Sequence, residues 1–194
     1  ETGSNTIGGV IDLSREINNE NRFKKLMVKT LMGAESANKG HFQNVTIKAP
    51  FKGNHQLSFS LLNRILGNQI SPEPYGTLKN TQALNREIHS NYMYFGNDFY
   101  SSFSLERFET DYGIPGSPEG HINGVDISMY RNTQKFSFHK DISISGFQTL
   151  DVDQRYIDYS HSESVTKDSY PSVILSHQIL TLNAKLSGNQ KTIG

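Results

Sequence analysis

The sequence predicts a mainly β fold, a sandwich or barrel of seven or more short antiparallel strands with one N-terminal amphipathic helix. Three observations carry this prediction. From His41 onward apolar residues recur at every second position, these runs are separated by Asn, Asp, Gly and Pro, and a four-residue apolar spacing stands out only near the N-terminus. With 194 residues the chain fits a single β-rich domain over 1–194, with polar extensions at both ends. Glu1 in place of an initiating Met reads as processing or an engineered start, with Glu1-Thr2-Gly3 a candidate cloning remnant.

The helix is expected over Glu20–Met32, where Phe23, Met27 and Leu31 recur four apart, Asn19 offers an N-cap and Gly33 a stop. Arg22, Lys24, Lys25 and Lys29 would decorate it as a solvated face or a basic docking face. The strand signal then begins. Val45, Ile47 and Ala49 alternate with polar neighbours, as do Leu57, Phe59 and Leu61. Similar runs occupy Ile88–Phe95, Phe99–Leu105, Ile122–Tyr130, Phe136–Phe138, Ile142–Phe147, Tyr156–Tyr159 and Val173–Leu182. Two stretches rich in Gly and Pro, Gly67–Gly76 and Gly113–Gly124, are longer than hairpin turns and read as crossovers, binding loops or arms reaching a neighbouring subunit.

Charge and composition exclude several classes. Nineteen Lys and Arg balance nineteen Asp and Glu, so no long-range field draws nucleic acid to the chain. No apolar run approaches the roughly 18 residues of a bilayer-spanning helix, so a soluble chain without a membrane span is expected. The absence of cysteine removes disulfides, thiolate metal sites and thiol nucleophiles.

Motifs for catalysis are sparse. Asp151-Val152-Asp153 would project two carboxylates from one strand face, but Arg155 and Tyr156 interrupt what a calcium loop would need. Glu106, Glu109 and Asp111 could form a glycosidase-type pair; if Phe103–Phe108 were a short helix, they would lie near its end or on its wet side. His41, His55, His89, His121, His139, His161 and His177 are scattered, and His139 with Asp141 is the nearest approach to a His/carboxylate pair. There is no Gly-x-Ser-x-Gly elbow and no phosphate-cradling glycine motif. No cofactor or metal is therefore expected. The aromatic cluster Tyr92, Tyr94, Phe95, Phe99, Tyr100, Phe103 and Phe108 reads as core packing, or else as a subunit interface or ligand platform.

One ordering of segments carries a resemblance: Tyr92-Met93-Tyr94-Phe95-Gly96-Asn97-Asp98, Phe99–Glu109, a long loop, Val125–Tyr130, Ile144–Asp153 and Tyr156–Tyr159. This order resembles tail-tube proteins of contractile-tailed phages over about a third of the chain; the segment before Tyr75 has no counterpart in them. The resemblance implies a barrel that stacks in rings, with the helix and the long loops as inter-subunit contacts and no catalysis.

The expected function is accordingly a non-catalytic structural subunit that self-assembles, a homo-oligomer or a partner of other structural subunits, such as a virion tail or tube component. A virion or extracellular location goes with it. Candidate interface residues are Phe23, Met27 and Leu31 on the helix, and Tyr112, Ile114 and His121 around the second loop. The alternative is a secreted or surface binding module, an adhesin or carbohydrate-binding sandwich, using Tyr112 and His121 at that loop. A hydrolase using a carboxylate pair from Glu106, Glu109, Asp151 and Asp153 is a third reading.

Overall fold

A computed structural model describes residues 22–51, 53–74, 76–144, 146–166 and 171–188. Eight strands follow in chain order: β1 (Met27–Glu35), β2 (Gly40–Phe51), β3 (His55–Leu66), β4 (Ala83–Phe95), β5 (Phe99–Ile114), β6 (Val125–Ile144), β7 (Phe147–Val165) and β8 (Val173–Gly188). Each pairs antiparallel with its sequence neighbours, giving one sheet in the order β1 to β8. This is an up-and-down meander, the arrangement that tight hairpin turns favour.

The β expectation therefore holds, with three corrections. Among the described residues the sheet is a single layer, so nothing packs face to face as in a sandwich. The strands are also long: β6 has 20 residues and β7 has 19, where about six is common. Lastly, the helix expected over Glu20–Met32 is absent from the part that is described, because Met27–Met32 belongs to β1. Glu20 and Asn21, like residues 1–19 and 189–194 at the ends, lie outside the described residues. The physical reason is that residues four apart share a face in a strand as well as in a helix. Pairing of Val28 with Ile47 and Thr30 with Val45 then satisfies the backbone in the sheet.

The connections are strongly unequal. At one end of the sheet only two or three residues join β2 to β3, β4 to β5 and β6 to β7, and Gly53 and Gly146 take a left-handed φ of 72° and 89°. At the other end lie the connections 36–39, 67–82, 115–124 and 166–172. The long connections are consequently on one side only. Phe103–Phe108, weighed above as a short helix, lies wholly within β5.

Candidate functional site

Strand register sorts every side chain onto one of two faces, and the faces differ in chemistry. Direct cross-strand partners share a face. One such row runs Ala49, Leu57, Tyr92, Phe103, Phe136, Gln154 and Leu182 across seven strands. The next, two residues along, runs Ile47, Phe59, Ser90, Leu105, Gln134, Tyr156 and Leu180. These rows hold large apolar groups, yet Leu57 is 45% exposed and Phe103 44%. Ordinary folding would bury them.

The opposite face is the better sheltered one on β2 to β7 and is polar in its middle rows, whereas on the edge strands β1 and β8 it is exposed and carries Met27, Leu31, Leu175 and Ile179. Its rows include Lys48, Ser58, Asn91, Ser104, Lys135, Arg155 and Thr181, and then Thr46, Ser60, His89, Glu106 and Thr133. The buried side chains among the described residues, Gln56, Met93, Phe95, Ser102, Thr110 and Ile127, all belong to this face. The segment before β1 adds cover, as the Arg22 guanidinium lies 4.3 Å from the centre of the Phe95 ring and Gln56 Nε2 donates to the Phe23 carbonyl at 3.5 Å. The better sheltered face is here called the inner one and the more exposed, apolar face the outer one.

Inner-face polar groups find partners across the strands. Arg131 pairs with Glu106 at 2.6 Å, Arg64 with Glu35 at 2.6 Å, and the Ser137 hydroxyl donates to Asp153 at 2.6 Å. His139 is held between Asp151, 2.6 Å from Nδ1, and Asp141, 3.4 Å from Nε2, with its ring stacked on Tyr100 at 4.8 Å. The Arg64 and Asn38 hydrogen bonds hold the Glu35 carboxyl below its usual range. These networks pair polar groups across strands while leaving the ion pairs partly exposed.

The boundary between apolar and polar on the outer face runs obliquely. In the row Val45, Leu61, Ile88, Arg107, Asn132, Asp158 and Gln178, the first three are apolar and the rest polar. One row nearer the short connections, the apolar character persists to Leu180. A level apolar band on tilted strands cuts the hydrogen-bonded rows in this way.

At the end with the longer connections, Asn80 ties three segments together. Its Nδ2 donates to the Ile114 carbonyl at 2.8 Å, the Val125 carbonyl at 3.1 Å and Thr166 Oγ1 at 3.0 Å. Asn80 adopts φ 58°, a left-handed geometry that Asn tolerates better than most residues.

The candidate interface residues are dispersed. Met27 and Leu31 lie on the inner side of edge strand β1, with Phe23 just before it under Lys48 Nζ at 5.0 Å. Tyr112 and Ile114 close β5 at the opposite end, beside the 115–124 turn, where the His121 carbonyl accepts from Gly124 N at 2.9 Å. Three strands separate the two groups.

The carboxylates separate as well. Glu106 and Glu109 project from opposite faces of β5 and bind Arg131 and Arg107 respectively, so these two do not form a catalytic pair. Asp151 and Asp153 do share a face, as their spacing implies, but they engage His139 and Ser137. Among the described residues no three His, Asp or Glu side chains converge as metal ligands. Neither Asn80 nor the two-faced outer band was singled out by sequence reasoning. The band's signal was present in the alternation, which leaves open which face turns inward.

No protein-family model matches the chain, and no curated protein sequence matches it significantly.

Proposed function

We propose that this chain forms part of the wall of a transmembrane β-barrel, with Leu57, Phe59, Leu61, Phe103 and Leu105 facing lipid and Ser58, Ser60, Ser102 and Ser104 facing a polar interior. The observation that carries this is the inverted pattern on β3 to β5, where Leu57, Phe59, Phe103 and Leu105 are exposed while Gln56, Ser102 and Thr110 are buried. Barrels in membranes alternate apolar outward and polar inward, with short turns at one rim and longer loops at the other. Both asymmetries occur here. On β4 the outer residues from Leu84 to Tyr94 cover about 33 Å along the strand at roughly 3.3 Å per residue. At a tilt of about 40° that corresponds to a band near 25 Å tall, the height such barrels present to lipid.

No helix among the described residues is long and apolar enough to cross a membrane, a criterion that does not address strands. Strands cross only as a closed barrel, because an open edge in lipid leaves backbone groups unpaired. β1 and β8 do not pair with each other, so closure requires additional strands.

A second reading, self-assembly of copies into a ring as the tail-tube resemblance implies, is favoured by those same edges. β1 and β8 run antiparallel, so β8 of one copy can pair with β1 of the next and continue the meander. The role in both readings is structural rather than catalytic.

Folding the purified chain with phospholipid vesicles distinguishes the readings. Flotation with the vesicles and resistance to alkaline extraction are expected for the wall. Rings or a stable monomer in lipid-free buffer, with no vesicle association, would contradict it.

A further inference from the structure

We infer that the outer face carries a binding site for one anionic lipid, its headgroup phosphate held by Arg86 and Arg107. This rests on the wall reading. Arg86 stands on the outer face of β4 between Leu84 and Ile88, at the edge of the apolar band, in a polar row with Gln43 on β2, Asn63 on β3 and Glu109 on β5. Glu109 is already engaged by Arg107, whose Nε donates to Oε1 at 2.6 Å. Among the described residues Arg86 has no hydrogen-bond or ion-pair partner. An unpaired arginine on the lipid face of a barrel is destabilising, most at the midplane and less toward the interface.

A groove of about 450 Å³ opens at this point, its lining including Leu61, Asn63, Ile88, both arginines and the Glu109 carboxylate. Two guanidiniums against one carboxylate leave one net positive charge. The planar fork of arginine matches two oxygens of a phosphate, which a point charge does not. Leu61 and Ile88 are direct cross-strand partners and form an apolar floor beside the cations. A cationic head beside an apolar floor fits an amphiphile better than a soluble anion. The occupant is therefore a lipid phosphate, with its acyl chain running over Leu61 and Ile88.

Native mass spectrometry of the full chain, extracted from vesicles of mixed phosphatidylglycerol and phosphatidylcholine, tests this. The expected result is one retained phosphatidylglycerol, in preference to phosphatidylcholine and unaffected by excess inorganic phosphate. Arg86→Gln or Arg107→Gln should lower its occupancy roughly tenfold, the loss of one charge-assisted contact, while Lys135→Gln on the inner face should leave it unchanged. Equal retention of both lipids, unchanged occupancy in Arg86→Gln, or displacement by inorganic phosphate would overturn the site while leaving the wall reading intact. Failure of the chain to enter vesicles at all would overturn both.

Discussion

Asn80 donates a 2.8 Å hydrogen bond from Nδ2 to the carbonyl of Ile114, joining the connection before β4 to the far end of β5. Its bonds to Val125 and Thr166 extend the tie to β6 and to the turn after β7. A single amide thus fixes the rim where the longer connections gather. Its surroundings leave little room, since a Cβ added to Gly113 would sit 2.4 Å from Asn80 Oδ1.

Replacing Asn80 should loosen that rim without dissolving the sheet. Asn80→Ala loses the bonds and retains a left-handed φ that alanine resists, for a combined cost of about 1–3 kcal/mol. Asn80→Gly accepts the φ and loses only the bonds. Hydrogen exchange at the Gly113 and Gly124 amides should therefore accelerate in both variants, more in Asn80→Ala, while amides in the middle of β5 stay protected. Equal protection in the variants and the parent would remove Asn80 as a tie.

Acid should weaken the β1–β3 corner through Glu35. Its carboxyl is held below the ordinary value of 4.5, first by the Arg64 hydrogen bond and second by that of Asn38. A depressed folded-state pKa gives stability that is present above the unfolded value and is lost as pH falls through the folded one. Local protection of β1 should accordingly decline below about pH 4.5 in the parent, and Glu35→Gln should flatten that decline. An unchanged acid profile in Glu35→Gln would show that another group controls it.

Charge placed on the two faces should have unequal effects. Phe59→Lys puts an ammonium on the lipid side and should cost about 2–4 kcal/mol if that position lies near the bilayer midplane. Ser60→Lys puts it among the polar groups of the inner face and should cost less than about 1 kcal/mol. Unfolding of vesicle-inserted protein by denaturant measures both. Equal penalties would contradict a two-faced wall.

Much of the sheet was legible in the alternation of Val45, Ile47 and Ala49 and of Leu57, Phe59 and Leu61, since a strand needs only a period of two to declare itself. Continuity was harder to see. Sequence reading separates Ile122–Tyr130 from Phe136–Phe138, whereas the structure runs β6 unbroken from Val125 to Ile144. Asn132 and Gln134 are polar residues on the outer face, so that stretch lacks the alternation which would have joined the two.

The reading of Met27 and Leu31 as a helical stripe failed because a spacing of four is shared by both periodicities. Only the partners Lys48 and Asn44 on β2 decide between them. Which face is sheltered was illegible too, because it shows only in the burial of Gln56, Ser102 and Thr110 relative to Leu57 and Phe103. The Asn80 tie joins residues distant in sequence, with Thr166 86 positions away.

The central claim, that the apolar face meets lipid and the polar face does not, is tested most directly by a cysteine scan along β3 and β5. The chain contains no cysteine, so each introduced thiol is the sole site for an environment-sensitive fluorophore. In vesicle-inserted protein, label at Leu57→Cys, Phe59→Cys, Phe103→Cys and Leu105→Cys should report an apolar medium and be quenched by brominated lipid. Label at Ser58→Cys, Ser60→Cys, Ser102→Cys and Ser104→Cys should report a polar medium and escape quenching. A period-two alternation confirms the inverted sheet; uniform readings along each strand, or lipid quenching confined to the serine positions, would contradict it.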